Sequence, residues 1–322
     1  MNEERRGHVL ALGSINADFQ MRVARRPEIS ETLIGKDFLR LGGGKSANVA
    51  LIARRLGLPS LLLAHVGDDD LAEQALAPLR DAGVDISGVS SIAGEATGVA
   101  FILVPPDGKK GIVMCANAND AWRQADLDAV RTAMRGAPED SVLVTNGEIP
   151  AVAVEEGMRS ARSRGITTVL DPSPADKVGD ALLRLADVVT PNSGEAETLT
   201  GIACDTPQAA RRAAQQLMQR GASAAAVKLA DGGCLFADAD GWVHIGTTPV
   251  RVVDTTGAGD AFAGAFASLV ARGASWREAA RFAVAAAHLA VGGYGSQPSY
   301  PEFEPIRELA AALPIMEGAH GE

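Results

Sequence analysis

Asp254-Thr255-Thr256-Gly257-Ala258-Gly259-Asp260, followed at once by an apolar stretch, decides how this chain reads. Two glycines in three positions leave the backbone room to wrap an anion, and the N–H groups opening the next helix then point at it. The helical pattern runs on to Arg272, with Gly273 as its stop signal. A carboxylate, Asp260, stands in the same turn. An anion cradle with an acid beside it suits holding a phosphate chain while the carboxylate orients a hydroxyl for attack. Taken alone, the same residues also read as an N-capped helix after a glycine-rich turn.

Outward from that loop, strands alternate with helices. Residues 9–13, 61–66, 141–145, 166–170, 186–190 and 223–229 are apolar strand-like runs. Helical spacing covers 46–56, 71–82, 123–135, 151–164 and 207–220, and a hairpin-like pair lies around 233–246. Continuous rather than alternating apolar strands, separated by helices, predict a parallel sheet covered on both faces. Segments 16–42 and 97–117 break the rhythm, the second around the turn signal Pro105-Pro106-Asp107-Gly108. Both read as pieces of an antiparallel accessory sheet. The tail from Pro314 onward is expected to be mobile.

The bulk numbers exclude several function classes. A chain of 322 residues fits two domains of roughly 150 residues, or one large α/β domain with an insertion. The apolar runs 262–270 and 282–291 are too short to span a bilayer. The start, Met-Asn-Glu-Glu-Arg-Arg-Gly-His, leads into a short apolar run, read as a buried first strand rather than a signal peptide. A net charge of −10 disfavours nucleic acid and anionic membrane as partners, but not ATP, which needs only local positive potential. Cys115, Cys204 and Cys234 are scattered and odd in number, which predicts reduced thiols in a cytoplasm and no structural zinc.

Ligands of open parallel sheets bind beyond the carboxyl ends of the strands. Polar or glycine-rich residues stand at six such ends. Asn16 and Asp18 follow the first strand, and Gly42-Gly43-Gly44-Lys45-Ser46-Ala47-Asn48 leads into a helix. Asn146-Gly147-Glu148, Asn192 with Glu195, residues 228–233 and the 254–260 loop follow later strands. Gly44-Lys45-Ser46 imitates the end of a Walker A loop, but Leu39 stands where that loop needs a glycine. The dinucleotide pattern also fails, because Phe262 stands where its third glycine belongs.

Together these residues resemble the ribokinase-like (PfkB) family of carbohydrate and nucleoside kinases, over about residues 13–301. Both family signatures are present, Gly43-Gly44-Lys45-Ser46-Ala47-Asn48 and the 254–260 loop, as is the N-x-x-E element, Asn192-Ser193-Gly194-Glu195. The resemblance implies a doubly wound α/β fold: a mainly parallel sheet flanked by helices, with a small antiparallel β lid. Residues 1–15, 43–96 and 118–313 would form the α/β domain, 16–42 and 97–117 the lid, and 314–322 the mobile tail.

The resemblance also implies roles. Asp260 would be the base that orients and deprotonates the acceptor hydroxyl, with Gly257, Ala258 and Gly259 as the anion hole. Asn16, Asp18, Gly43, Gly44, Lys45, Asn48 and Glu148 would bind the sugar, a set of convergent donors and acceptors that suits a polyol. Asn192, Glu195, Lys228, Ala230, Gly233 and Gly259 would bind ATP, with Glu195 holding Mg²⁺ through water. Asn192 and Glu195 also read as a capping pair on a short helix. Asp254, Thr256, Ala290, Gly293, Gly295 and Ser299 would hold an activating K⁺.

The expected function is ATP-dependent phosphorylation of a primary sugar hydroxyl, O5 of D-ribose giving ribose 5-phosphate. The wording of residues 13–18 and 297–299 is closest to the ribokinases within the family. Three departures stand out: Ser46 replaces a usual glycine, Val284 falls where ribokinases often place a histidine near the adenine, and Gly293-Tyr294-Gly295 resembles kinases of keto-deoxy sugar acids. A sugar acid would need an arginine partner for its carboxylate; the lid offers Arg22, Arg25, Arg26 and Arg40, but segment 97–117 has only Lys109 and Lys110, which weighs against that reading. The alternatives are a 2-dehydro-3-deoxygluconate kinase, a fructokinase or a nucleoside kinase. A non-catalytic sugar-sensing protein would be expected to lose the acid or the loop. Exposed lid edges suggest a homodimer paired through the lid.

Overall fold

The computed structural model describes residues 7–319. The chain runs β1 (Val9–Leu12), β2 (Asn16–Arg22), β3 (Lys36–Gly43), α1 (Lys45–Arg55), β4 (Ser60–Gly67), α2 (Leu71–Asp81) and β5 (Asp85–Ile92). It continues through β6 (Gly98–Val104), β7 (Gly111–Cys115), α3 (Gln124–Gly136), β8 (Val142–Asn146), α4 (Ala151–Arg162), β9 (Thr167–Asp171), α5 (Asp180–Leu183) and β10 (Val188–Val189). Then come α6 (Ser193–Thr200), α7 (Pro207–Gln219), β11 (Ala224–Lys228), β12 (Cys234–Asp238) and β13 (Gly241–Ile245). The last elements are α8 (Ala258–Val270), α9 (Trp276–Ala290), α10 (Phe303–Ala312) and β14 (Ile315–Gly318).

Ten strands form one sheet in the order β14-β13-β12-β11-β10-β9-β8-β1-β4-β5, parallel from β5 to β11 and antiparallel beyond. Strand β1 explains the continuous apolar runs. Val9 and Ala11 enter the core under α1, α8 and α9, while Leu10 and Leu12 enter the opposite core under α3, α4 and α7. Both faces are buried, so neither is polar. The chain moves from β1 toward β4 and β5, then returns to place β8 on the other side of β1. That reversal opens a crevice beyond the carboxyl ends of β1 and β8.

Helix α8 lies deep in the first core. At Gly264 a Cβ would sit 2.1 Å from Ile52 Cγ2 of α1, so glycine allows the two helices to approach closely. Through this layer Phe262 stacks on Phe266 at 6.4 Å, and Phe236 lies tilted against Phe266 at 6.5 Å. The N-terminus of α8 is thereby held rigidly at the crevice.

Four strands, β3-β2-β6-β7, form the lid. The β2–β3 and β6–β7 pairings are antiparallel, but β2 and β6 run parallel, so the accessory sheet is mixed. Its inner face carries Ala100, Ile102, Ile112 and Met114. On its outer face Phe19 stacks with Phe38 and Phe101 at 6.3 and 5.4 Å.

One further expectation changes, and one strand went unread. Strand β14 lies in the supposed mobile tail, pairing Ile315 with Ile245 and Gly318 with Trp242; residues 320–322 lie outside the described residues. Strand β5 carries only scattered apolar residues, because it is an edge strand exposed along much of its length.

Candidate active site

A cleft of about 750 Å³ opens over the crevice, walled by the lid. Into it project Asn16, Asp18, Gly44, Lys45, Asn48 and Glu148, together with Asn192, Glu195, Lys228, Ala230, Gly233, Thr256 and residues 257–260. Segments far apart in sequence meet there because β1, β8, β9, β10 and β11 all end on the same side of the sheet. Of the sugar set, Gly43 does not line the cleft; it ends β3, paired with Asn16.

The 254–260 loop is built by one side chain. Asp254 Oδ1 accepts from Thr256 N at 2.8 Å and Thr256 Oγ1 at 2.6 Å, folding the chain into a turn. Gly257, the N-cap of α8, has φ +77°, where a side chain would be strained. As N-terminal groups, the amides of Gly257 and Gly259 have no intrahelical acceptor, and both residues line the cleft. Ala258 differs from the expectation in part, because its N–H turns back 3.3 Å to Thr255 O.

Asp260 is buried beside this turn. Its Oδ2 accepts from Asn48 Nδ2 at 2.7 Å, and its Oδ1 lies 3.4 Å from Lys45 Nζ. Gln297 Nε2 donates to Asn48 Oδ1 at 3.0 Å, which fixes the Asn48 amide with its NH₂ toward Asp260. Lys45 Nζ also donates to Asp171 Oδ2 at 3.0 Å, and Asp171 Oδ1 lies 3.6 Å from Lys228 Nζ. Asp171 thus bridges two lysines. Burial alone would raise its pKa, but Lys228 and Lys45 hold it below the usual range. Lys45 is held well above the ordinary lysine value because Asp171, Asp260 and Glu148 outweigh its burial.

The end of the cleft that holds Asp18 and Glu148 is more acidic. Asp18 is pushed up to about 8, first by burial and then by the Glu148 and Asp260 carboxylates. Glu148 is also raised by burial, against the opposing pull of Lys45 and of Ser14, whose Oγ donates to Glu148 Oε2 at 2.5 Å. Asn16 is oriented by Asn119, whose Nδ2 donates to Asn16 Oδ1 at 2.8 Å. The Asn16 NH₂ is left facing the cleft.

At the other end, Asn192 and Glu195 close a capping box on α6: Asn192 N donates to Glu195 Oε2 and Glu195 N to Asn192 Oδ1. Both side chains also line the cleft. Val250, Val252, Ala287, His288 and Val291 give this end an apolar wall suited to a flat ring. Val284 is buried in the core instead, while His288, one turn later on α9, faces the cleft. The i, i+4 spacing on one helix face was the signal available in the sequence.

Below the loop, Asp254 Oδ2 accepts from Gln20 Nε2 at 2.8 Å and Gly295 N at 3.0 Å. Gly293 N lies 3.3 Å from Ala290 O, and Ser299 packs against Gly293. Thr256 and Gly295 therefore meet directly at Asp254, with Ala290, Gly293 and Ser299 on the adjoining turn. Among the described residues Asp254 has no ion-pair partner although it is buried. Beside Gly257, the buried Ser296 Oγ and Tyr300 Oη lack hydrogen-bond partners.

Asp171 and Asn119 were not read as site residues from the sequence; Ser14 and Gln297 entered only through the wording of 13–18 and 297–299, and Lys110 only beside the arginines weighed for a sugar acid. Asp171 carried a weak signal, an acid directly after a buried strand; Asn119 carried none. The lid arginines offered for a sugar acid are engaged elsewhere: Arg22 over Tyr294, Arg25 with Glu31, Arg26 at Lys109 O, Arg40 with Gln74. Lys110, from the lid hairpin, does line the cleft.

Comparison with known proteins agrees with this geometry. The model of the pfkB family of carbohydrate kinases matches residues 6–302. A ribokinase from Haemophilus influenzae is 33% identical over 290 residues, covering 90% of this chain and 94% of that protein. A bifunctional ribokinase/ribose-5-phosphate isomerase A from Fructilactobacillus sanfranciscensis is 33% identical over 300 residues, of whose length the chain spans 55%. The structure of Arabidopsis thaliana ribokinase complexed with ribose and ATP superposes with a TM-score of 0.82 at 31% identity, covering 95% of this chain and 99% of that one. With the fold, the acid beside the glycine loop and a family match over nearly its whole length, the chain belongs to the pfkB family of carbohydrate kinases.

Proposed function

We propose that this protein is an ATP-dependent kinase of a small neutral sugar, transferring the γ-phosphoryl group to O5 of D-ribose. One observation carries it: Asp260, fixed by Asn48 and Lys45, stands beside the open amides of Gly257 and Gly259 at the end of a cleft lined by sugar-type donors and acceptors. Asn16, Asp18, Lys45 and Glu148 would bind the sugar hydroxyls, and an Asp18 that stays protonated near neutrality can donate as well as accept. Asp260 accepts the proton of the attacking hydroxyl. Positioning and charge neutralisation account for most of the rate, as suits a loose phosphoryl-transfer transition state. The lid arginines turn away from the cleft, which favours a neutral sugar over a sugar acid.

Glu195 and Asn192 are the oxygen donors suited to a divalent ion on ATP. They would hold Mg²⁺ against the ATP phosphates through water, and the ion would supply charge neutralisation there. Asp254, buried with no ion-pair partner among the described residues, suits a large monovalent cation such as K⁺. Rates in potassium against lithium salts test that. The aromatic outer face of the lid supports a homodimer, read directly by light scattering. Free thiols and an ATP donor support a cytoplasmic location, tested by cell fractionation.

Replacing Asp260 with Asn is expected to cut turnover by about 10³-fold or more with ADP binding kept. A coupled ADP-release assay over ribose, deoxyribose, fructose, nucleosides and 2-dehydro-3-deoxygluconate tests the acceptor. Activity on the sugar acid and none on ribose would reject it.

A further inference from the structure

Three lysines reach the cleft, and they differ in their counter-charges. Lys45 lies against Asp171 and Asp260, and Lys228 against Asp171. Lys110 has neither. Its Nζ donates at 3.0 Å to a neutral oxygen, Thr255 O, two residues before Gly257. No carboxylate of the described residues forms an ion pair with it, although the side chain is half-buried. Burial, and then Lys45, pulls its pKa below the ordinary lysine value, against the weaker opposing pull of the more distant Asp260, Asp254 and Glu195 carboxylates.

Lys110 also arrives by a particular route. It sits at the tip of the β6–β7 hairpin of the lid, and the same tip is tied to the loop by a second contact. Thr255 N and Oγ1 both donate to Gly108 O, at 3.2 and 3.0 Å. A lid lifted from the cleft would break both contacts and withdraw the ammonium. The anion facing Lys110 is set by its neighbour: it is held at the phosphoryl loop, not among Asn16, Asp18 and Glu148 at the sugar end.

We propose that Lys110 is a catalytic residue delivered by the lid, whose ammonium contacts a non-bridging oxygen of the transferring phosphoryl group. This rests on the kinase function proposed above. The bond between the γ-phosphorus and the β,γ-bridging oxygen breaks, its electron pair leaving on ADP, and a bond from the sugar oxygen to phosphorus forms. The hydroxyl proton passes to Asp260. Lys110 transfers no proton; it neutralises charge on the moving group, and because it rides on the lid, that charge is complete only when water is shut out.

The test uses Lys110→Gln, which keeps a donor for Thr255 O but no charge, with Lys110→Met, Lys110→Arg and the exposed Lys109→Gln as control. Lys110→Gln and Lys110→Met are expected to lower kcat by about 10²–10³-fold. The sugar KM and the melting temperature should hold, Lys110→Arg should recover most of the rate, and Lys109→Gln should match wild type. Lys110→Gln with kcat within about threefold of wild type, or with a raised KM alone, overturns the inference. So does a loss confined to a sugar-acid substrate. A wild-type protein that turns over no sugar at all would sink the kinase reading instead.

Discussion

Gly257→Ala separates the backbone of the loop from its side chains. The added Cβ meets two obstacles. At φ +77° a residue with a Cβ costs about 1–2 kcal/mol. The same Cβ would stand 2.6 Å from Tyr300 Oη and 2.7 Å from Ser296 Cβ. Tyr300 and Ser296 are 4% and 0% exposed, so neither can swing aside into solvent. The loop must move instead, by something on the order of 1 Å, which carries the Gly257 amide off its target and costs about 10²-fold in rate.

Urea denaturation should therefore show a loss of about 2 kcal/mol, strain and clash together, alongside a kcat about 10²-fold down. Gly259→Ala supplies the contrast. Gly259 lies inside α8, and its Cβ would meet only the end of Lys228 at 3.4 Å, so stability should stay within about 0.5 kcal/mol while turnover still falls. A folded Gly257→Ala protein that keeps wild-type turnover would refute the assignment of the loop amides to catalysis.

Two further outcomes follow from the charges around Asp260. Asp18 is raised from 3.8 to about 8, so the folded protein holds a proton there that the unfolded chain has released. Its stabilising contribution is present below about pH 4 and lost as pH rises through about 8. Asp18→Asn should thus gain stability over wild type between about pH 5 and 9; an advantage that instead grows toward acid would refute the assignment. Asp171→Ala leaves Lys228 without its carboxylate and Lys45 with Asp260 alone. A cost of about 2–4 kcal/mol is expected in urea denaturation, with Asp171→Asn milder, since both lysines are partly solvated.

Much of the fold was legible because its signals are local. Continuous apolar runs marked the buried strands, and helical spacing from Pro207 marked α7, whose first turn Thr206 caps; α9 went unread, although Ser275 with Glu278 caps it just as locally. The weakest elements were lost for equally local reasons. Strand β5 is half-exposed, and β14 is a short edge strand whose exposed residues resemble a tail; β10, read over 186–190, shortens to two residues. The lid segments were visible as breaks in the rhythm, but the parallel β2–β6 pairing was not, since strand direction depends on the path of the intervening chain.

The sequence by itself determined the 254–260 turn, because its conformation depends on neighbours: an aspartate folding back two residues and a glycine free to take positive φ. It also determined that a parallel sheet would bring several strand ends together. Only the tertiary structure decided which charges meet. Lys45 finds Asp171 across 126 positions and Asp260 across 215, and Lys110 reaches Thr255 across 145. Such pairings follow from strand order and from where a hairpin tip lands, and the contact energies that select them act only after the backbone has brought the groups within a few ångströms.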